Sequence, residues 1–285
     1  MADALHPFFA APRPLVIAHR GGSGLAPENT LAAFDAGLAS GADGLELDVR
    51  LSRDGVVVVH HDASLDRTTS GRGPVSAFSA DELARVDAAV SFGADAGFPF
   101  RGQGIGVPTL SDVLGRYRDV RVIIELKLDA AELAEAAVAA VRRAGAVDRV
   151  CFGAFSTRAL RVVRALEPAV ATSAAREEVR WALYRSWCRW PIRRHAFDGF
   201  QVPESVGATR VVSPRFVRAA HRAGLGVQVW TVDAEADARR LLAWGVDALI
   251  TDRPDVLVPL VASPSGHLPD ARARSMVGDA AADAR

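Results

Sequence analysis

The chain has 285 residues, 49% of them hydrophobic, which is enough for one soluble domain with a large core. Its 34 acidic and 34 basic residues cancel, so it lacks the basic footprint that nucleic-acid binding leaves. Two cysteines, Cys151 and Cys188, in apolar and arginine-rich surroundings, support neither a disulfide framework nor a zinc site.

Residues 1–14, MADALHPFFAAPRP, form an N-terminal lead without the basic start and continuous apolar run of a signal peptide, and no later segment is apolar for long enough to span a bilayer. A cytoplasmic location is therefore expected. Strand patterns follow at LVIAH (15–19), GLELDV (44–49), VRVIIELK (120–127), RVCFGAF (149–155), VATS (170–173), GFQVP (199–203), GVQVWTV (226–232) and ALITD (248–252). Helical patterns such as ENTLAAFDAGLASG and AELAEAAVAAVRRAG lie between them, the second stopping at Gly145 as a helix does at a glycine just past its end. This alternation over 15–261 predicts an α/β fold, a parallel (β/α)8 TIM barrel. A doubly wound sheet is the runner-up, but the glycines of HRGGSG (19–24) do not make the G-x-G-x-x-G turn it would want. The polar tail, 262–285, is expected to be disordered.

Within GLELDVRLSRDGVVVVHHD (44–62), Asp54-Gly55 reads as a two-residue type I′ turn. Arg53 then pairs with Val56 and Asp48 with His61, so that Glu46, Asp48 and His61 share one face and His60 turns to the other. In such a barrel the chemistry sits at the C-terminal strand ends. Those ends carry His19 and Arg20, Glu46 and Asp48, Glu125 and Lys127, and Trp230. Singly, each carboxylate reads as a salt-bridged strand end and His19 as a core histidine; their shared location favours a site. Oxygen-only ligands point to a hard divalent cation, Ca²⁺ or Mg²⁺, as the missing counter-charge.

The run HRGGSGLAPENTLAAFDAGLASGADGLELDVRLSRDGVVVVHHD, with LDRTTSGRGPV (65–75), VPTLSDVL (107–114), IELK (124–127) and VQVWTVDAEADARRLLAWGVDALITDRPD (227–255), resembles the glycerophosphodiester phosphodiesterase family. The resemblance spans about 15–255. It implies a (β/α)8 barrel with a small inserted segment, here about 62–107, and hydrolysis of small-molecule glycerophosphodiesters to sn-glycerol 3-phosphate and an alcohol. It makes Glu46, Asp48 and Glu125 the metal ligands and His19 and His61 the acid/base pair. Arg20 and Lys127 would hold the phosphate, and Trp230 would wall the glycerol. Family members often carry Asn where this chain has Asp233. A lipid phosphodiesterase of the related phospholipase D-like toxin type would keep the metal and histidines but be expected to lack the insertion. A non-catalytic phosphodiester-binding barrel would be expected to have lost one of these groups. Oligomeric state, choice of ion and head-group alcohol stay open.

The segment REEVRWALYRSWCRWPIRR (176–194) has no counterpart among these motifs. On a helical wheel Trp181, Leu183, Tyr184, Trp187, Cys188 and Trp190 gather on one half. The favoured expectation is an outer helix packing these aromatics on the barrel; the alternative is a basic, Trp-rich surface touching membrane lipid or a partner near the active-site rim.

Overall fold

The computed structural model describes residues 5–193 and 196–262; most of the tail expected to be disordered lies outside them. Eight parallel strands make the barrel: β1 (Leu15–Ala18), β2 (Gly44–Leu51), β4 (Arg121–Leu126), β5 (Val150–Gly153), β6 (Ala171–Thr172), β7 (Gly199–Pro203), β10 (Gly226–Trp230) and β11 (Ala248–Thr251). Around the barrel they run β6-β5-β4-β2-β1-β11-β10-β7, and a parallel bridge from Ser173 to Gly199 brings its two ends together. Each strand coincides with one of the eight predicted runs, β2 continuing two residues past its own. The additional short strands are β3 (Val57–Val59), antiparallel to β2, and the pair β8 (Ser205–Val206) and β9 (Thr209–Arg210) at the mouth.

Helices α1 (Leu31–Ala39), α3 (Leu110–Arg116), α4 (Ala131–Arg143), α5 (Thr157–Leu166), α6 (Arg176–Trp187), α7 (Pro214–Arg222), α8 (Glu235–Ala243) and α9 (Pro254–Ala262) each follow a barrel strand. The short α2 (Ala80–Arg85) belongs to the stretch between β3 and α3, where Val58, Leu65, Val75, Leu83 and Val107 form a separate small core. Strand alternation divides the side chains. Leu45, Leu47 and Val49 of β2 and Val122, Ile124 and Leu126 of β4 face the helices, while Ile17, Ile123, Cys151 and Ile250 fill the barrel.

The N-terminal lead contributes to this interior. Phe8 and Phe9 are 1% and 2% exposed and pack on Leu15, Ile17, Ile123 and Ala248. The ring of Phe9 lies where side chains at Gly199 and Gly226 would be: a Cβ built there would come within 2.5 and 2.7 Å of it. Those two glycines make room for an aromatic plug, and burying it contributes about 1.5–3 kcal/mol.

The hairpin after β2 differs from the predicted one. Ser52 N–H donates to Val56 O at 3.0 Å and Gly55 N–H to Ser52 O at 3.1 Å, so three residues, Arg53 to Gly55, make the loop. Gly55 has φ +76, whereas Asp54 is not among the residues of positive φ that a type I′ turn needs at both centres. Asp54 is anchored instead, its Oδ1 accepting from Ser52 Oγ at 2.6 Å and from Ala80 N–H at 3.0 Å. The register is accordingly Val49 with Val59, one residue from the count made on the sequence. His60, not His61, stands opposite Asp48, donating its N–H to Asp48 O at 2.9 Å.

The segment 176–194 also departs from its favoured expectation. α6 turns Ala182, Leu183 and Ser186 inward, while Trp181, Tyr184, Trp187 and Trp190 are 69%, 52%, 50% and 61% exposed. Arg194 lies outside the described residues.

Candidate active site

A cavity of about 490 Å³ opens at the C-terminal strand ends. His19, Arg20, Glu46, Asp48, His61, Glu125, Lys127 and Trp230 all line it, so the eight residues singled out in the sequence are brought together. β2 and β4 pair in register with Asp48 beside Glu125, and parity turns both, with Glu46, toward the barrel interior.

His19 begins the 3₁₀ turn His19–Gly21 that ends β1. Arg20 and Gly21 have φ +50 and +88, and a Cβ at Gly21 would meet the Phe34 ring at 2.6 Å, so glycine is needed where this turn presses on α1. The turn aims Arg20 N–H at Glu46 Oε2, 2.9 Å away. The Arg20 guanidinium lies 2.9 Å from Glu28 Oε1 and 3.4 Å from Asp48 Oδ2. Lys127 Nζ sits 2.9 Å from Asp48 Oδ1 and 3.2 Å from Glu125 Oε1.

The histidines are built alike. His19 Nδ1 is 2.6 Å from Asp252 Oδ1 and His61 Nδ1 is 2.7 Å from Asp62 Oδ1. An ionised carboxylate only accepts, so Nδ1–H donates in both pairs and Nε2 is left for the cavity. Burial works to lower the pKa of His19, but Glu46 and Asp252 outweigh it and hold the imidazole above the usual histidine range. Asp62 is opposed by burial yet held down to about 2 by Arg67 and His61. His61 reaches the cavity although the register was miscounted, because the chain leaves strand geometry after Val59. Arg50 then grips His61 O through Nε at 2.9 Å and Nη2 at 2.7 Å. His60 is buried with Nε2 3.1 Å from Ser64 O, and burial depresses its pKa.

Burial and the neighbouring Asp48 push the Glu46 carboxyl up to about 7, with His19 pulling the other way. Burial also penalises the Asp48 anion, but Lys127, Arg20 and a hydrogen bond from Asn29 Nδ2 (2.8 Å) keep its pKa below the usual range. Three carboxylates thus share two cations, one of which also serves Glu28. Among the described residues no group of three His, Cys, Asp or Glu closes into a metal cage, since Lys127 stands between Asp48 and Glu125. Glu46, Asp48 and Glu125 nevertheless line one cavity, and their all-oxygen donor set suits a hard cation.

Several partners here escaped the sequence reading. Asn29, in the left-handed region at φ +58, both donates to Asp48 Oδ2 and accepts from Asp48 N–H at 3.1 Å. Its signal was the PENT run, where Asn tolerates positive φ. Glu28 joins Arg20 to Arg67. Asp233 has a polar role: its Oδ1 accepts from Thr251 Oγ1 at 2.9 Å and from Asp252 N–H at 2.8 Å, steadying the residue that holds His19. A second, more apolar cavity of about 370 Å³ adjoins the first across Glu125, Phe155, Gln201 and Trp230 and extends to Val179 at the start of α6.

A barrel whose mouth gathers two carboxylate-backed histidines, three acidic groups and two cations has the equipment of a phosphoric ester hydrolase. The model of the glycerophosphoryl diester phosphodiesterase family matches residues 19–256. A glycerophosphodiester phosphodiesterase of Caldanaerobacter subterraneus subsp. tengcongensis is 33% identical over 254 residues, covering 87% of this chain and 98% of that one. A probable glycerophosphodiester phosphodiesterase 2 of Mycobacterium tuberculosis is 34% identical over 250 residues, covering 85% and 89%. A phosphodiesterase of Oleispira antarctica, solved in complex with the product sn-glycerol-3-phosphate, superposes with a TM-score of 0.72 at 29% identity, covering 88% of this chain and 98% of that one. The chain belongs to the glycerophosphoryl diester phosphodiesterase family and is a phosphoric diester hydrolase.

Proposed function

We propose that the enzyme hydrolyses small glycerophosphodiesters to sn-glycerol 3-phosphate and an alcohol, with His19 and His61 as its proton-transfer groups and a divalent cation held by Glu46, Asp48 and Glu125. The observation that carries this reading is the pair of His–Asp dyads facing the same cavity as the three carboxylates. The product complex of the Oleispira relative supports the substrate class.

A phosphodiester is already anionic, so attack requires positive charge against its oxygens and proton transfer at both the entering and the leaving oxygen. When bound, Ca²⁺ or Mg²⁺ supplies part of that charge. Glu46, Asp48 and Glu125 would hold it, and Arg20 and Lys127 beside them supply further positive charge for the phosphate oxygens. His61 takes the proton of the attacking oxygen through Nε2, while Asp62 and Arg50 fix its ring and backbone. His19, its pKa raised above the ordinary histidine range, gives its proton to the leaving alcohol as the old P–O bond breaks. The attacking oxygen belongs to water, which gives glycerol 3-phosphate directly, or to the substrate's own glycerol hydroxyl, which gives a cyclic phosphate that water then opens with the two histidines exchanging roles. Trp230 walls the glycerol.

The test is kinetic. His19→Ala and His61→Ala should each lower kcat on glycerophosphocholine by ~10²–10⁴ while leaving divalent-ion binding intact. Full activity in either variant would remove that histidine from the mechanism.

A further inference from the structure

We propose that the solvent-facing side of α6, with the arginines of α7, docks on an anionic lipid bilayer. The proposal is independent of the reaction assigned to the barrel. Trp181, Tyr184 and Trp187 form a continuous aromatic strip on α6, with centroids 6.4 Å apart in the first pair and 5.5 Å in the second. Trp190 extends the strip past the helix end, and all four are half or more exposed. An isolated exposed aromatic needs no explanation, but four in sequence facing water are costly in the free protein and mark an interaction surface.

The chemistry of the neighbouring cavity selects the partner. Between the end of α6 and α7 lies a space of about 520 Å³ whose lining includes Arg189, Arg215, Arg218 and Arg222 beside Trp190, and no carboxylate. Among the described residues none of these four arginines is in an ion pair, in contrast to Arg164 or Arg240, each held by a glutamate. Unpaired guanidinium groups in a concave site fit the phosphate of an anionic head group, and the amphipathic Trp and Tyr rings suit the level of the bilayer where head groups meet acyl chains. A second copy of the chain fits poorly, because a two-fold contact would set this cationic patch against itself. The first turn of α6 also contributes Arg176 and Val179 to the apolar cavity adjoining the active site.

The experiment is co-sedimentation of the full chain with vesicles of phosphatidylglycerol and phosphatidylcholine, against phosphatidylcholine alone, at low and high salt. Binding to the anionic vesicles only, weakened by salt, is the expected result. Each arginine near an anionic surface is worth about fivefold in partitioning, so Arg215→Glu/Arg218→Glu should reduce it by at least about 25-fold. Trp181→Ala/Trp187→Ala should also release the protein, with its melting temperature and its activity on soluble glycerophosphocholine unchanged. The proposal is overturned by absent binding at low salt, by equal binding to phosphatidylcholine vesicles, or by a solution dimer that the tryptophan variant dissociates. A large loss of melting temperature in the tryptophan variant would likewise overturn it, by assigning the aromatics to the fold.

Discussion

Asp252→Asn keeps the shape of the side chain that orients His19 and removes only its charge. Asp252 Oδ1 lies 2.6 Å from His19 Nδ1 and also accepts from Ser23 Oγ at 2.5 Å, so the change acts on a geometry that is already fixed. A hydrogen bond to a charged group contributes ~1.5–3 kcal/mol against about 1 kcal/mol for a neutral one, which sets a floor of several-fold on the loss of kcat/KM. An amide can also donate to Nδ1 and impose the wrong tautomer, which raises the ceiling toward ~10⁴. The pH profile carries the sharper signature. In the proposed mechanism the acid form of His19 is the active one, so activity should be lost as pH rises through its raised pKa; removing the Asp252 anion should lower that pKa and move the alkaline limb to lower pH. Glu46 remains, so the shift is partial. The assay is kcat/KM for glycerophosphocholine across pH, read by a coupled glycerol 3-phosphate dehydrogenase, beside metal titration and thermal melting as controls. An alkaline limb at the same pH, with a rate close to that of the wild type, would refute the assignment of His19 as the general acid.

Phe9→Ala should cost ~3–5 kcal/mol and lower the melting temperature by roughly 6–20 °C, although the residue stands in the N-terminal lead. His60→Ala should leave kcat nearly unchanged in the assay that shows His61→Ala to be impaired, because His60 is buried on Ser64 O. For Glu46 the folded state raises the pKa from 4.5 to about 7, so its ionisation destabilises the fold as pH climbs through that interval. Glu46→Gln should therefore stabilise the metal-free protein at and above pH 7 in thermal melting, while the rise in melting temperature expected of the wild type with Mg²⁺ or Ca²⁺ should be lost.

The barrel was legible because parallel strands buried on both faces read as short aliphatic runs, and the active site because its polar residues interrupt those runs at one end. What was not legible has local physical causes. Asp54-Gly55 suits two hairpin loops, and the choice fell to side-chain bonds between Ser52, Asp54 and the backbone of Ala80, the last remote in sequence. On α6 two stripes compete: Val179, Ala182, Leu183 and Ser186 follow the i, i+3, i+4, i+7 spacing, while Trp181, Tyr184 and Trp187 recur every third residue. The barrel took the small residues and left the large ones to solvent. Phe8 and Phe9 lay in a segment without periodicity, and only the paired glycines at 199 and 226, far along the chain, create their socket. Asp62, Asp233 and Asp252, which hold the histidines or their partners, sit in loops, where a polar residue carries no periodic pattern to distinguish it.

The central claim, that this cavity cleaves glycerophosphodiesters with a divalent ion on Glu46, Asp48 and Glu125, is tested most directly by ³¹P NMR of the purified protein with sn-glycero-3-phosphoethanolamine and Mg²⁺ or Ca²⁺. The account predicts conversion of the diester signal to that of glycerol 3-phosphate, its arrest by a chelator, recovery when the ion is restored in excess, and no conversion by Glu125→Gln. Turnover that persists undiminished after complete chelation, or a diester signal unchanged under every ion tried, would contradict it.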